Sequence, residues 1–173
     1  MLTEKQRTLI RDSWRLVVPI GETAADLFYR RLFETNPEYR ALFKSDMTAQ
    51  KRKLIGMLGF IVKSLDWPDS AWRDTVDEQN DLFLIMLALG RRHTSLYRVP
   101  DAAYEAVGQA LVWTLDYGLG KAFTEEVRDA WLQVYRLVAT TMKMGKYSAA
   151  ERKPVSDGMA AILAPKNAAE VAR

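Results

Sequence analysis

The chain has 173 residues, of which 49% are hydrophobic and 27% charged, proportions typical of one soluble domain with its own core. A net charge of +3 is too small to predict nucleic-acid binding, no apolar run is long enough to span a membrane, and the first residues do not resemble a signal peptide. The absence of cysteine excludes disulfides and thiolate-ligated metals. We expect a cytoplasmic monomer or weak homodimer with neither nucleic acid nor membrane as a partner.

Apolar residues recur with the period of a helix along the chain, and no segment alternates as a half-buried strand would. Thr3 and Gln6 predict a capping box at the start of the first helix, which Gly21 helps to end. A second helix is expected over residues 22–34, and Thr48 is the expected cap of a third. The predicted fold class is all-α.

The second half of the chain continues this pattern. A loop or short helix through Trp72 leads to a helix that covers residues 82–93. The following helix is expected to end at Gly118 and Gly120, and Thr124 is a good start for the last long helix.

The composition changes after Gly145, where prolines and alanines become frequent. We therefore divide the chain into a domain over residues 1–145 and a C-terminal tail over residues 146–173. The tail is expected to be mobile, or to form a short amphipathic helix over residues 159–163.

The single histidine, His93, lies on the apolar face of its helix. The other residues of that face are Leu82, Ile85, Met86 and Leu89. A buried imidazole requires a polar partner, and a metal is one such partner. Because the chain has no second histidine and no cysteine, the site would supply a single ligand of this kind, which is the ordinary arrangement for iron held by a porphyrin. The alternative is a core histidine that hydrogen-bonds the protein.

Several segments occur in the order found in the globin family. LFYRRLFETNPEYRALF resembles the second helix and following corner of bacterial single-domain, flavohaemoglobin-like globins. LGRRHTSLY is similar to the end of their haem-ligating helix, and DAWLQVYRLVA to their last helix. The resemblance covers the chain from its first residue to about residue 145 and implies a globin fold, with helices packed around a haem pocket.

This resemblance implies a role for particular residues. His93 would be the proximal ligand to the iron of haem b, and Tyr29 and Gln50 would be the distal residues that hydrogen-bond a bound gas. The other haem contacts that it implies are Phe43, Lys53, Leu54, Arg92, Leu96, Val99 and Tyr104. A core tyrosine and a solvent-facing glutamine are the alternatives for the distal pair.

Two further points concern charge and the proximal side. Lys53 and Arg92 would pair with the haem propionates, although a solvated basic face is the alternative. Tyr104 resembles the tyrosine that braces the proximal histidine in flavohaemoglobins, whereas Lys146 stands where those proteins have a glutamate. The resemblance therefore does not extend to a peroxidase-like proximal side.

The implied function is reversible binding of O2, NO and CO. With an external reductase, the protein would also convert nitric oxide to nitrate, a detoxification, or reduce nitrite, because no Gly-rich fingerprint of a flavin or nicotinamide domain is present. A globin-type gas or redox sensor, and a helical interaction module, are the alternatives. The sequence does not separate storage, sensing and detoxification, since each uses the same pocket.

Overall fold

The computed structural model describes residues 2–44, 46–66 and 81–147, and no strand occurs within these ranges. The α-helices there are α1 (Glu4–Val17), α2 (Gly21–Thr35), α3 (Met47–Ser64), α4 (Asp81–Ser95), α5 (Asp101–Leu119) and α6 (Glu125–Met144). Short 3-10 turns lie at Val18–Ile20, Pro37–Leu42 and Gly120–Ala122. The predicted all-α class is confirmed.

Side-chain caps fix the starts of α1 and α3. The capping box at α1 is present, with Thr3 Oγ1 accepting from Gln6 N at 3.2 Å and Gln6 Oε1 accepting from Thr3 N at 2.8 Å. The prediction that Thr48 caps α3 is wrong. Asp46 is the cap, because its two carboxylate oxygens accept from the amides of Thr48 and Ala49 at 3.0 and 3.2 Å.

Two of the glycines expected to end helices do not do so. Gly21 is the first residue of α2, and Gly118 lies inside α5, which continues to Leu119. The end of α5 is set by Gly120, whose φ of 51° lies in the left-handed region that favours glycine. The backbone conformation, rather than the presence of a glycine, therefore decides where the helix stops.

The core forms where α1, α2, α5 and α6 meet. Trp131 of α6 is 1% exposed, and its ring lies 6.2 Å from that of Trp14 on α1. Its indole N–H donates to Ser13 Oγ at 3.0 Å, so this buried donor is satisfied. These contacts hold α1 against α6 at the centre of the molecule.

Helices α3 and α4, which together carry half of the predicted site residues, are supported from different sides. α3 packs on α1 and α2, whereas α4, which carries His93, packs on α6. The expected features at Trp72 and over residues 159–163, and the side chain of Leu82, lie outside the described residues. No described helix combines the length and apolar character needed to cross a bilayer.

Candidate functional site

His93 lies in the last turn of α4, and its orientation is fixed by its own helix. Its Nδ1 lies 2.8 Å from the main-chain carbonyl oxygen of Leu89, one turn earlier. A carbonyl only accepts, so Nδ1 carries a proton, and in the neutral imidazole Nε2 then keeps its lone pair. Among the described residues no group hydrogen-bonds Nε2. The imidazole is thus held as a neutral group whose second nitrogen can bind a metal.

The surroundings of His93 favour this neutral form. Burial lowers the pKa of the imidazole, and the nearby guanidinium of Arg92 lowers the pKa further. The hydrogen bond to the Leu89 carbonyl opposes them and raises the pKa, but the net shift is downward. Since a metal binds the deprotonated nitrogen, the local environment favours the state that a ligand needs.

The turn after α4 is tied to the histidine. Val99 N donates to the carbonyl of His93 at 2.9 Å, and Arg98 reaches this turn with a φ of 54°, in the region that a side chain rarely adopts. The ring of Tyr97 meets that of His93 edge to face, with the centroids 5.8 Å apart. Leu96, three residues beyond the histidine, is 65% exposed.

The structure brings Tyr29 and Gln50, the predicted distal pair, together. Tyr29 is 7% exposed, and its hydroxyl donates to the main-chain carbonyl of Gln50, not to the side-chain amide, at 3.4 Å. This bond is long for an O–H donor. Burial raises the pKa of Tyr29 to about 12, so the phenol remains a donor at neutral pH.

An aromatic cluster surrounds the Tyr29 ring. The ring of Phe43 meets it edge to face at 5.4 Å, and that of Phe28 does so at 5.0 Å. Phe33 contacts both Tyr29 and Phe43, at 5.8 and 5.3 Å. Phe43 is therefore anchored in place by its neighbours, as an aromatic that packs against a flat ligand must be.

Apolar side chains of the predicted pocket pack on the core but remain only partly buried. They include Phe43 in the corner after α2, Leu54 on α3 and Val99 in the turn after α4. Met47, Met57, Leu58 and Leu89 are partly buried in the same way. Leu54 lies one helical turn beyond Gln50 on α3. Lys53 and Arg92 are exposed, and among the described residues neither is paired with a carboxylate.

Tyr104, one of the predicted haem contacts, lies on α5. Its hydroxyl is buried, and none of the described residues hydrogen-bonds it. Burial raises the pKa of this phenol. Lys146, which the resemblance sets where flavohaemoglobins have a glutamate, pairs with Asp101 at 2.8 Å. A buried hydroxyl without a partner costs free energy.

A groove of about 680 Å³ between α5 and α6 is a separate feature. Its lining includes Tyr104, Trp113, Tyr135 and Arg136. Tyr104 is the only one of the predicted site residues in that lining. We therefore do not assign the groove to the histidine site.

The contact that holds α4 in place is not among the features predicted from the sequence. Gly90 and Gly145 lie where α4 and α6 approach each other at backbone distance. The signal was available, because a glycine inside an apolar helix is costly and often marks a close packing contact. The partner, however, is distant in sequence and is revealed only by the fold.

Comparison with known proteins places most of the chain in one family. A family model described as Globin matches residues 26–142. The neuroglobin of Chaenocephalus aceratus is 30% identical over 148 residues, which is 83% of this chain and 92% of that protein. The neuroglobin of Danio rerio is 30% identical over 156 residues, or 88% of this chain and 97% of that protein.

Bacterial relatives are also found, and they are much longer than this chain. A flavohemoprotein of Chromobacterium violaceum is 26% identical over 144 residues, which is 82% of this chain but 33% of that protein. The chain is therefore similar to vertebrate as well as to bacterial proteins. The resemblance inferred from the sequence named only the bacterial group.

Proposed function

Because the chain belongs to the globin family, we propose that it binds haem through His93 and reversibly binds O2 and other diatomic gases on the opposite side of the iron. The observation that carries this proposal is the 2.8 Å contact between His93 Nδ1 and the Leu89 carbonyl. That contact fixes the tautomer and aims a free nitrogen out of α4, as the ligating histidine of a one-ligand metal requires.

The residues around His93 fit a flat, largely apolar group with acidic edges. Partly buried apolar side chains such as Phe43, Leu54 and Val99 would cover the faces of haem b. The exposed cations Lys53 and Arg92 would pair with its propionates. Leu96, exposed beside the histidine, would become covered by the same group.

Bound haem would supply a redox-active iron to which a diatomic gas can bind. The chain's own contribution is a donor and an apolar enclosure. The Tyr29 hydroxyl, together with the amide of Gln50, would hydrogen-bond the gas, and the aromatic cluster of Phe28, Phe33 and Phe43 would exclude water. Because the existing bond from Tyr29 is 3.4 Å long, little is lost when the hydroxyl turns towards a ligand.

We propose that oxidation of nitric oxide to nitrate is a further activity of this site. Nitric oxide, dioxygen and one electron together give nitrate, so each turnover consumes an electron from a donor. An external reductase would supply it. The flavohemoprotein relatives are about three times as long as the part that matches this chain, and their whole activity is not transferred.

Absorption spectra test the proposal directly. The purified chain titrated with haemin should saturate at one equivalent and give a ferrous–CO Soret band. His93→Ala should lose that band or retain it only weakly, and added imidazole should restore it, since imidazole replaces the missing ligand. Leu84→Ala, at a position 50% exposed on the same helix, is the matched control and should bind haemin like the parent. Wild-type spectra in His93→Ala would show that His93 is not the ligand.

A further inference from the structure

α4 and α6 meet through glycine three residues before His93. A Cβ added to Gly90 would lie 2.5 Å from the carbonyl carbon of Met142 and 2.6 Å from its Cα, and would overlap the carbonyl oxygen. Non-bonded carbons normally keep about 3.5–4.0 Å apart. These are backbone atoms, which cannot rotate away as a side chain can. Glycine is thus the only residue type that fits at position 90, where the two backbones lie so close together.

The contact is reciprocal. A Cβ added to Gly145, just after α6, would lie 2.7 Å from the amide nitrogen of Arg91 and would overlap the carbonyl oxygen of Leu87. Gly145 N donates to the Met142 carbonyl at 3.0 Å, which fixes that carbonyl against Gly90. Each glycine therefore lies directly against the backbone of the helix that carries the other, or that ends beside it.

Buried side chains flank this contact and oppose a displacement of α4 relative to α6. Phe83 and Leu87 of α4 pack with Met144 of α6, and all three are at most 4% exposed. Met86 of α4 and Met142 of α6 belong to the main core and are 2% and 8% exposed. A displacement of α4 along or around its axis would open cavities in both clusters.

We propose that Gly90 and Gly145 form a positioning notch: their close backbone contact sets the position of His93 along the α4 axis and its orientation around that axis, relative to the haem. The proposal rests on the proposed function. Gly90 follows Leu89, whose carbonyl orients the imidazole, and precedes His93 by less than one turn. Any shift of α4 at Gly90 is therefore passed directly to the carbonyl and to the ring that it holds.

The test compares Gly90→Ala with Gly56→Ala, because a Cβ at Gly56 on α3 would meet nothing within 4 Å. In the ferrous protein, resonance Raman spectroscopy measures the iron–histidine stretching band. Gly90→Ala should displace that band and raise the rate of haem loss ~10-fold or more, as loss of support for a metal ligand typically does. Gly56→Ala should leave both unchanged.

Gly145→Ala is the second variant, because it lies beyond the end of α6, where the chain can shift more easily and still fold. It should displace the band in the same sense, by less than Gly90→Ala. Wild-type bands and haem-loss rates in both variants, even with lowered thermal stability, would make the notch purely structural and overturn the proposal.

The unfolding of the haem-free chain separates this proposal from the proposed function. A close backbone contact predicts a lower unfolding midpoint for Gly90→Ala than for Gly56→Ala, with or without haem. If the parent chain takes up no haemin, the proposed function and the haem-positioning role both fail. If the parent takes up haemin normally but Gly90→Ala matches Gly56→Ala in midpoint and in band position, only the notch fails.

Discussion

The hydroxyl of Tyr29 donates to the main-chain carbonyl of Gln50 at 3.4 Å, and this contact joins α2 to the first turn of α3. It brings the two predicted distal residues together. The bond is weak by its length, while the phenol itself is 7% exposed and enclosed by aromatic rings. The hydroxyl is therefore positioned by packing and not committed to a strong partner.

Tyr29→Phe tests whether this hydroxyl serves a bound gas. The ring and its packing remain, so only the donor is lost. We expect the O2 dissociation rate to rise about tenfold or more, which corresponds to at least ~1.4 kcal/mol, and the CO rate to change less because bound CO is a poorer acceptor. Flash photolysis and stopped-flow mixing measure the two rates. Equal acceleration for both gases would assign Tyr29 a steric role.

The same tyrosine gives a prediction for alkaline pH. Burial raises the pKa of Tyr29 from 10.0 to about 12 in the folded chain. A group whose pKa is higher in the folded than in the unfolded chain stabilises the fold at pH values below the unfolded pKa. For Tyr29 this stabilisation is lost as the pH rises from about 10 to about 12.

Tyr29→Phe should therefore make the alkaline fall in the free energy of unfolding shallower, by up to ~1.4 kcal/mol per pH unit. Urea titrations at a series of alkaline pH values measure this slope. Tyr117→Phe, at a position 66% exposed, is the matched control. Parallel pH profiles for the parent and Tyr29→Phe would contradict the buried phenol.

Asp46→Ala should destabilise α3 more than Thr48→Ala does. The Asp46 carboxylate accepts from two helix amides, and the first of these hydrogen bonds lowers its pKa the most. The stabilisation is present above the unfolded pKa and is lost as the pH falls through the lower folded value. The difference between the two variants should thus disappear in acid. Circular dichroism melts at neutral and at acidic pH measure it, and an equal or larger effect of Thr48→Ala at neutral pH would contradict the predicted dominance of Asp46.

The sequence was sufficient for features that depend on local pattern. The capping box at Thr3, the helical class and the placement of His93 in its helix follow from spacing along the chain, because helix geometry brings those residues together by itself. The cap of α3 was misassigned since Asp46 and Thr48 are both good capping residues and only the backbone decides between them. The contact of Gly90 with Met142 joins distant segments, so no local pattern contains it.

The paired tyrosines of α5 and α6 provide the last prediction. Tyr104 has a buried hydroxyl with no partner among the described residues, while the Tyr135 hydroxyl donates to the main-chain carbonyl of Tyr104. Removing an unpaired buried hydroxyl relieves a cost, whereas removing a paired one costs about 1 kcal/mol. Tyr104→Phe should therefore leave the haem-free chain as stable or more stable, and Tyr135→Phe should weaken it. Denaturant titration of both variants measures this. The Tyr104 hydroxyl makes no hydrogen bond to His93 in this structure, so the bracing that the resemblance to flavohaemoglobins implies would have to form in the haem-bound protein. If it forms, Tyr104→Phe should displace the iron–histidine band of the haem-bound protein without that loss of stability. Equal destabilisation by the two substitutions would show that Tyr104 has a partner, and an unmoved band would remove it from the proximal side.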